Sequence, residues 1–453
     1  MATVQEEIEA IIEEFTRLQT APAPYRDKND DFPLPRVIGA GNGGSIIVSQ
    51  KIDDAIVTVA DQLMTADASL SPKVTRAEWR ALVRGTFGPA LAMIDLDIDL
   101  AKNADTVLIE IRTMLSKHVS GYGVREFAFG CTLFGNGAVQ PFSIGPVRFE
   151  SRLDWLARKS GDGAVSATTH RRIERAWSGK HPKKRKPSID SICETDILDT
   201  VGSCPFVCSV TITGLAAEAG REKALTAARL AIAAIALLWV IPSRALEGMN
   251  LLFDYRTHRQ KALSFIPGKI VLAGFRLSHT PHGPWLKNGE WEGEFVKYEE
   301  HFRVVGEVLD YVIDVTGNTA RPKMMNTLAQ ALLWFHEGCR EIVTLMAIVK
   351  YSAVLDALAC GGKSGGIRRL LNARLGIQDN TPIRPNGPTL KQAVEEIYKD
   401  GRSRTIHGTN VKLGHDWSET KGLAEHFARL CLLHCIDWAA QNPSLDDPKQ
   451  LSQ

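Results

Sequence analysis

The sequence predicts an α+β protein, with a mixed α/β N-terminal and central region followed by an all-α C-terminal bundle. Three observations predict it. Short β-branched and aromatic runs recur between residues 45 and 147 and again at 204–213. A 3.6-residue apolar period runs through Leu328, Leu332, Phe335, Cys339, Ile342, Leu345, Val349 and on to Leu358. The composition is 44% apolar and 23% charged with a net charge of +2, which excludes a mostly disordered or low-complexity chain. So balanced a charge requires any basic surface to be local. The 453 residues are long enough for several domains. The texture suggests boundaries at 1–155, 156–200, 201–320 and 321–442.

The first residues, MATVQEEIEAIIEEF, are acidic and amphipathic. They lack the basic start and apolar core of a signal peptide and read as one helix over 1–20. Pro22, Pro24, Pro33 and Pro35 then interrupt the chain. Gly39-Ala-Gly41-Asn-Gly-Gly44 matches G-x-G-x-x-G. The prolines leave little strand upstream, and Ser45-Ile-Ile-Val-Ser49 downstream favours a strand, so a hairpin turn is expected rather than a dinucleotide site. Residues 53–59 read as a further strand, 82–115 as one or two helices, and 127–147 as strands and turns.

Between Arg158 and Lys186 there are ten Lys/Arg and two acids. This stretch reads as an exposed basic linker. The alternative is contact with nucleic-acid phosphates, which makes Lys183, Lys184, Arg185 and Lys186 candidate binding residues. A strand follows at 204–213. Cys204 and Cys208 would lie roughly 13 Å apart along it, beyond the ~7 Å that a disulfide tolerates. Eight cysteines are too sparse for a disulfide scaffold, and a reducing cytoplasm is the simplest compartment. Residues 216–239 read as a helix. Its apolar run from Leu225 is short for a span of about 20 residues and carries Arg229, so a buried helix is expected and no membrane partner. Strands are expected at 269–277 and 294–298, and a helix then a loop over 300–318.

The C-terminal pattern reads as helices. Gly361 and Gly362 end the period, as C-terminal glycines do. A short helix follows at 367–375. Thr389 and Gln392 form a capping-box start, and Asp416 and Glu419 repeat that spacing. Gly362-Lys-Ser364 resembles the end of a P-loop, but a helix rather than a strand precedes it. Cys431, His434 and Cys435 have i, i+3, i+4 spacing; no second ligand pair accompanies them, so no metal or other cofactor is expected.

The site that stands out is Asp400-Gly-Arg-Ser-Arg-Thr-Ile-His-Gly408. Its core is Arg402-x4-His407, with Ser403 after the arginine and Arg404 as a further candidate for phosphate contact. Imidazole exchanges protons near neutral pH, and guanidinium holds phosphate in a bidentate fork. Together they could assist attack of a ribose 2′-OH on its phosphodiester without a metal. On a continuous α-helix Arg402 and His407 lie about 140° apart, while Ser403 and His407 share a face. Convergence would need the helix to fray at 405–407, or two copies to face each other. The competing reading is a pair of cations at a helix C-terminus, where they are favoured.

Tyr398, the Arg402-Ser403 pair and Ile406-His407-Gly408, in an all-α setting with a helical hairpin before them and a helix after, resemble the HEPN superfamily. The likeness is to the ApeA-like HEPN domains of bacterial phage-defence proteins and covers about 120 residues, 321–442. It implies a HEPN helical bundle acting as a homodimeric, metal-independent endoribonuclease, with Arg402 and His407 as the R-x4–6-H pair. Family members commonly carry Asn, Asp or His where this chain has Ser403. The resemblance also implies RNA, such as tRNA, as substrate and a phage-derived trigger sensed by the preceding residues. The family includes non-cleaving members, so a dimerisation or nucleic-acid-binding module regulating a partner is the alternative.

Overall fold

The computed structural model describes residues 2–20, 36–135, 139–180, 182–254, 259–261, 264–271, 275–277, 283–314 and 316–453. The four prolines between 22 and 35 lie outside them. The protein is α+β, 61% helical and 9% strand. It divides into two compact units, Met1–Arg125 with Ile212–Lys223, and Glu126–Thr211 with Ala224–Gln453.

In the first unit the acidic N-terminal run folds as α1 (Val4–Thr20), burying Ile8, Ile11, Ile12 and Phe15. The glycine motif is a hairpin turn. β1 (Arg36–Gly39) pairs antiparallel with β2 (Ser45–Val48), and Gly41 and Gly43 supply the left-handed turn at φ +81° and +85°. Helices α2 (Gln50–Ala66), α3 (Arg76–Leu91) and α4 (Leu100–Ser120) follow. Residues 53–59, expected as a strand, lie inside α2. The Ser49 side chain caps that helix by accepting from the Ile52 N–H. Ile52, Ile56, Val59 and Ala60 then form one buried stripe at helical spacing. Packing of that stripe against α1 and α3 outweighs the strand preference of Ile and Val.

The second unit is built on a four-stranded sheet. Its strands are β3 (Val124–Cys131), β4 (Phe142–Ile144), β5 (Val147–Ser151) and β6 (Phe206–Thr213), in the order β3-β6-β5-β4. β5 pairs antiparallel with both β4 and β6, with Phe149 opposite Cys208. The expected basic linker is instead three helices, α5 (Arg152–Gly161), α6 (Ala167–Trp177) and α7 (Ile189–Val201). They share a core of Trp155, Leu156, Val165, Ile173 and Val201. Several of the cations that suggested a solvated linker are paired with acids distant in sequence. Arg158 binds Glu126 at 3.0 Å and Glu150 at 2.6 Å, and Arg172 binds Glu194 at 2.7 Å.

The Ala-rich run is α8 (Ala217–Ala236), followed by α9 (Pro242–Gly248). Residues 224–237 are almost all buried. Among the described residues no single helix is long and apolar enough to cross a membrane. Two antiparallel pairs follow, β7 (Arg259–Lys261) with β10 (Phe275–Leu277), and β8 (Ser264–Ile266) with β9 (Lys269–Val271). Residues 294–298, expected as a strand, belong to α10 (Glu290–Lys297) and the turn after it. Trp291 and Phe295, four apart on that helix, join Phe142 and Phe302 in one aromatic cluster.

The remaining chain is helical. α11 (Glu299–Ile313) leads to a hairpin of α12 (Pro322–Cys339) and α13 (Thr344–Leu358), so the long apolar period is two helices. α14 (Lys363–Leu375) and α15 (Leu390–Glu395) follow, then a π-helical segment at Glu396–Ser403, the short turn α16 (Arg404–Ile406) and the long α17 (Ser418–Gln441). α17 buries Phe427, Ala428, Cys431, Leu432 and Cys435. Asp416 does not make the expected capping box. It accepts from the Ser418 N–H at 2.9 Å, and Trp417 stands at the cap without a side-chain bond.

Candidate functional site

The Arg402 region is fixed from both ends. Thr389 and Gln392 satisfy each other's backbone N–H groups in the expected capping box at the start of α15. At the far end Gly408, at φ +70°, closes a Schellman turn: the Thr409 N–H donates to the Arg404 carbonyl at 2.8 Å. The helix therefore ends in order and does not fray at 405–407. Between these ends the ladder slips from i→i+4 to i→i+5 over Glu396–Ser403. Thr420 on α17 donates to Glu396 at 2.6 Å, and Gly401 packs directly on Ile348 of α13.

Arg402 is half-buried, and its guanidinium is held by two groups. It lies over the Tyr398 ring with its carbon 5.0 Å from the ring centre, and Nη1 donates to the Tyr398 hydroxyl at 3.1 Å. Nη2 donates to Asp356 Oδ2 at 3.2 Å, an ion pair with side chains 25% and 22% exposed. Two buried polar atoms at this junction have no partner, Arg402 Nε and Asp356 Oδ1. His407 is exposed at the end of the same helix, and no hydrogen bond to its ring is found among the described residues. Its backbone N–H donates to the Ser403 carbonyl at 3.0 Å, so Ser403 and His407 do sit one α-turn apart. Within one chain Arg402 thus turns toward α13 while His407 faces outward, and nothing bonds the two.

Arg404, expected to meet phosphate, pairs with Asp400 at 2.9 Å, which also lies 3.6 Å from Lys412. Lys183, Lys184 and Lys186 are exposed between α6 and α7. Arg185 is drawn inward, at 2.7 Å from Asp190 and 3.0 Å from Thr169 Oγ1. The residue that sequence reasoning missed is Asp356. Its signal was present: it is the one acid in the fifteen residues of α13. Cys431 and Cys435 are in the core, where burial raises both thiols, that of Cys435 to about 12, whereas His434 is exposed. Among the described residues no cluster of His, Cys, Asp or Glu is arranged to hold a metal ion.

The Arg402 guanidinium already carries one carboxylate, that of Asp356, so another anion would have to displace it. The His407 imidazole is exposed and accessible to a molecule outside. Comparisons with protein-family models, with curated proteins and with solved structures find no match.

Proposed function

We propose that the C-terminal helices form a HEPN-type, metal-independent endoribonuclease centre, working as a homodimer in bacterial phage defence of the abortive-infection type. The observation that carries this reading is the Arg402 guanidinium braced by Tyr398 and Asp356, five residues before an exposed His407. A phosphodiester displaces the Asp356 carboxylate from Arg402. The ribose 2′-oxygen attacks phosphorus, the bond to the 5′-oxygen breaks, and an imidazole takes the 2′ proton or protonates the leaving oxygen. The products carry a 2′,3′-cyclic phosphate and a 5′-OH. Because Arg402 and His407 of one chain diverge, the productive pair combines residues of two copies across a two-fold axis. A host RNA such as tRNA in the cytoplasm is the proposed substrate, with a phage component as trigger.

A second reading is a non-catalytic module that dimerises or binds nucleic acid to regulate a partner. The Asp356–Arg402 ion pair favours it, since that carboxylate already neutralises the arginine.

One experiment separates the two. Wild type, His407→Ala and Arg402→Ala are incubated with total RNA, with and without EDTA, and sized by light scattering. On the nuclease reading each substitution lowers cleavage about 10²–10⁴-fold, the dimer persists, and EDTA changes nothing. Full cleavage by folded His407→Ala, or loss of wild-type cleavage in EDTA, overturns it.

A further inference from the structure

Residues 167–188 contain eight Lys or Arg and one acid, Glu174. Two of the eight are structural. Arg172 donates to Glu194 at 2.7 Å and to the Lys183 carbonyl at 2.9 Å. Arg185 reaches Asp190 at 2.7 Å and Thr169 Oγ1 at 3.0 Å. The Lys180 N–H donates to the Arg175 carbonyl at 3.0 Å. These bonds lay the chain after α6 back along that helix, antiparallel to it. The other six cations, Arg171, Arg175, Lys180, Lys183, Lys184 and Lys186, are exposed. None has a carboxylate partner among the described residues.

We propose that this surface docks the phosphate backbone of a double-helical nucleic acid. Arg171 and Arg175, four apart, share one face of α6. The eleven residues of α6 span about 16 Å. A duplex carries one charge per ~1.7 Å of axis over its two strands, or one per ~3.4 Å of each strand, so a row of that length runs beside about five phosphates of one strand. The bonds of Arg172 and Arg185 fix the backbone that carries the row, so little backbone ordering entropy is lost when it binds. Single-strand sites add aromatic platforms for bases. Here the one Phe, Tyr or Trp of 167–188 is Trp177, and the Arg152 guanidinium covers it at 5.1 Å from the ring centre. Contact therefore falls on phosphates and is indifferent to base sequence. Docking stands without the nuclease reading. That the docked helix is the folded RNA presented to Arg402 and His407 rests on it.

The test is fluorescence anisotropy with the full chain across a salt series. The probes are a short RNA duplex, the same sequence as a DNA duplex, an unstructured oligouridine, and phosphatidylserine vesicles. Wild type is expected to bind both duplexes more tightly than oligouridine. Replacing Lys180, Lys183, Lys184 and Lys186 by Ser should weaken duplex binding at least tenfold and reduce the slope of log K against log salt by about 3.6. An unchanged slope and affinity, no duplex binding at low salt, preference for oligouridine, or binding to vesicles in place of duplex would each overturn docking. Retained binding and cleavage by His407→Ala would instead count against the nuclease alone.

Discussion

Gly401 packs directly on α13. A Cβ there would stand 2.6 Å from Cγ2 of Ile348, a fully buried residue, whose β-branched side chain is stiff at χ1. Two effects of Gly401→Ala oppose each other. Alanine gains about 1 kcal/mol of helix propensity. Overpacking a filled interior costs about 1–3 kcal/mol, and the contact is too short to be absorbed by a small shift. The net expectation is destabilisation, read as a lower urea midpoint. Ile348→Ala costs about 2–5 kcal/mol by itself, but in that background Gly401→Ala should cost less than it does alone, because the two changes meet at one contact. Strict additivity in the double mutant would refute the contact. The same closeness sets Arg402 at its register on α13, within reach of Asp356.

The helix from Thr389 to His407 changes its ladder along its length, and only part of that was legible. The capping box depends on two side chains three residues apart, so it could be read directly. Thr389→Ala should cost about 1 kcal/mol and speed amide exchange in the first turn of α15, whereas Thr389→Ser should restore both. The hairpin at 39–44 and the helical period at 328–358 were legible for the same reason, since spacing alone specifies them. The π-helical segment was not, because nothing in Glu396–Ser403 marks it apart from its fit to α13 and α17. Residues 53–59 misled because Ile and Val suit strands, and the deciding stripe lies across α2 as a whole. The basic linker misled because Glu126 and Glu194 pair with arginines 32 and 22 residues away. Arg402 and His407 could be picked out by residue type, but Asp356 joins Arg402 from 46 residues earlier, a distance no local pattern spans.

Across the molecule, stability should depend on pH in two steps. Burial lowers the His336 imidazole, with Glu337 opposing, so the folded protein holds it neutral. The unfolded chain then binds the extra proton, and stability falls as pH drops below His336's ordinary value near 6.5. Burial raises the Glu126 carboxyl, but hydrogen bonds from Arg158 and Lys159 outweigh it and bring it from 4.5 to about 2. Its contribution is complete above pH 4.5 and is lost as pH falls toward 2, on the order of 2–3 kcal/mol. Urea midpoints measured from pH 7 to 2 should show both declines, and Glu126→Gln should flatten the lower one. An unchanged acid limb in that variant would assign it to other carboxylates. The division of the chain also orders events during synthesis. Ala216 belongs to the first unit's core, its N–H donates to the Lys73 carbonyl at 2.9 Å, and Glu78 accepts from the Glu218 and Ala219 N–H groups at 2.6 and 3.1 Å. The ribosome makes Ile212–Lys223 only after the whole of 126–211. At about 5–20 residues per second that is a delay of roughly 5–20 s. Over that interval the nascent first unit exposes an unfinished core, the interval in which a chaperone would find it.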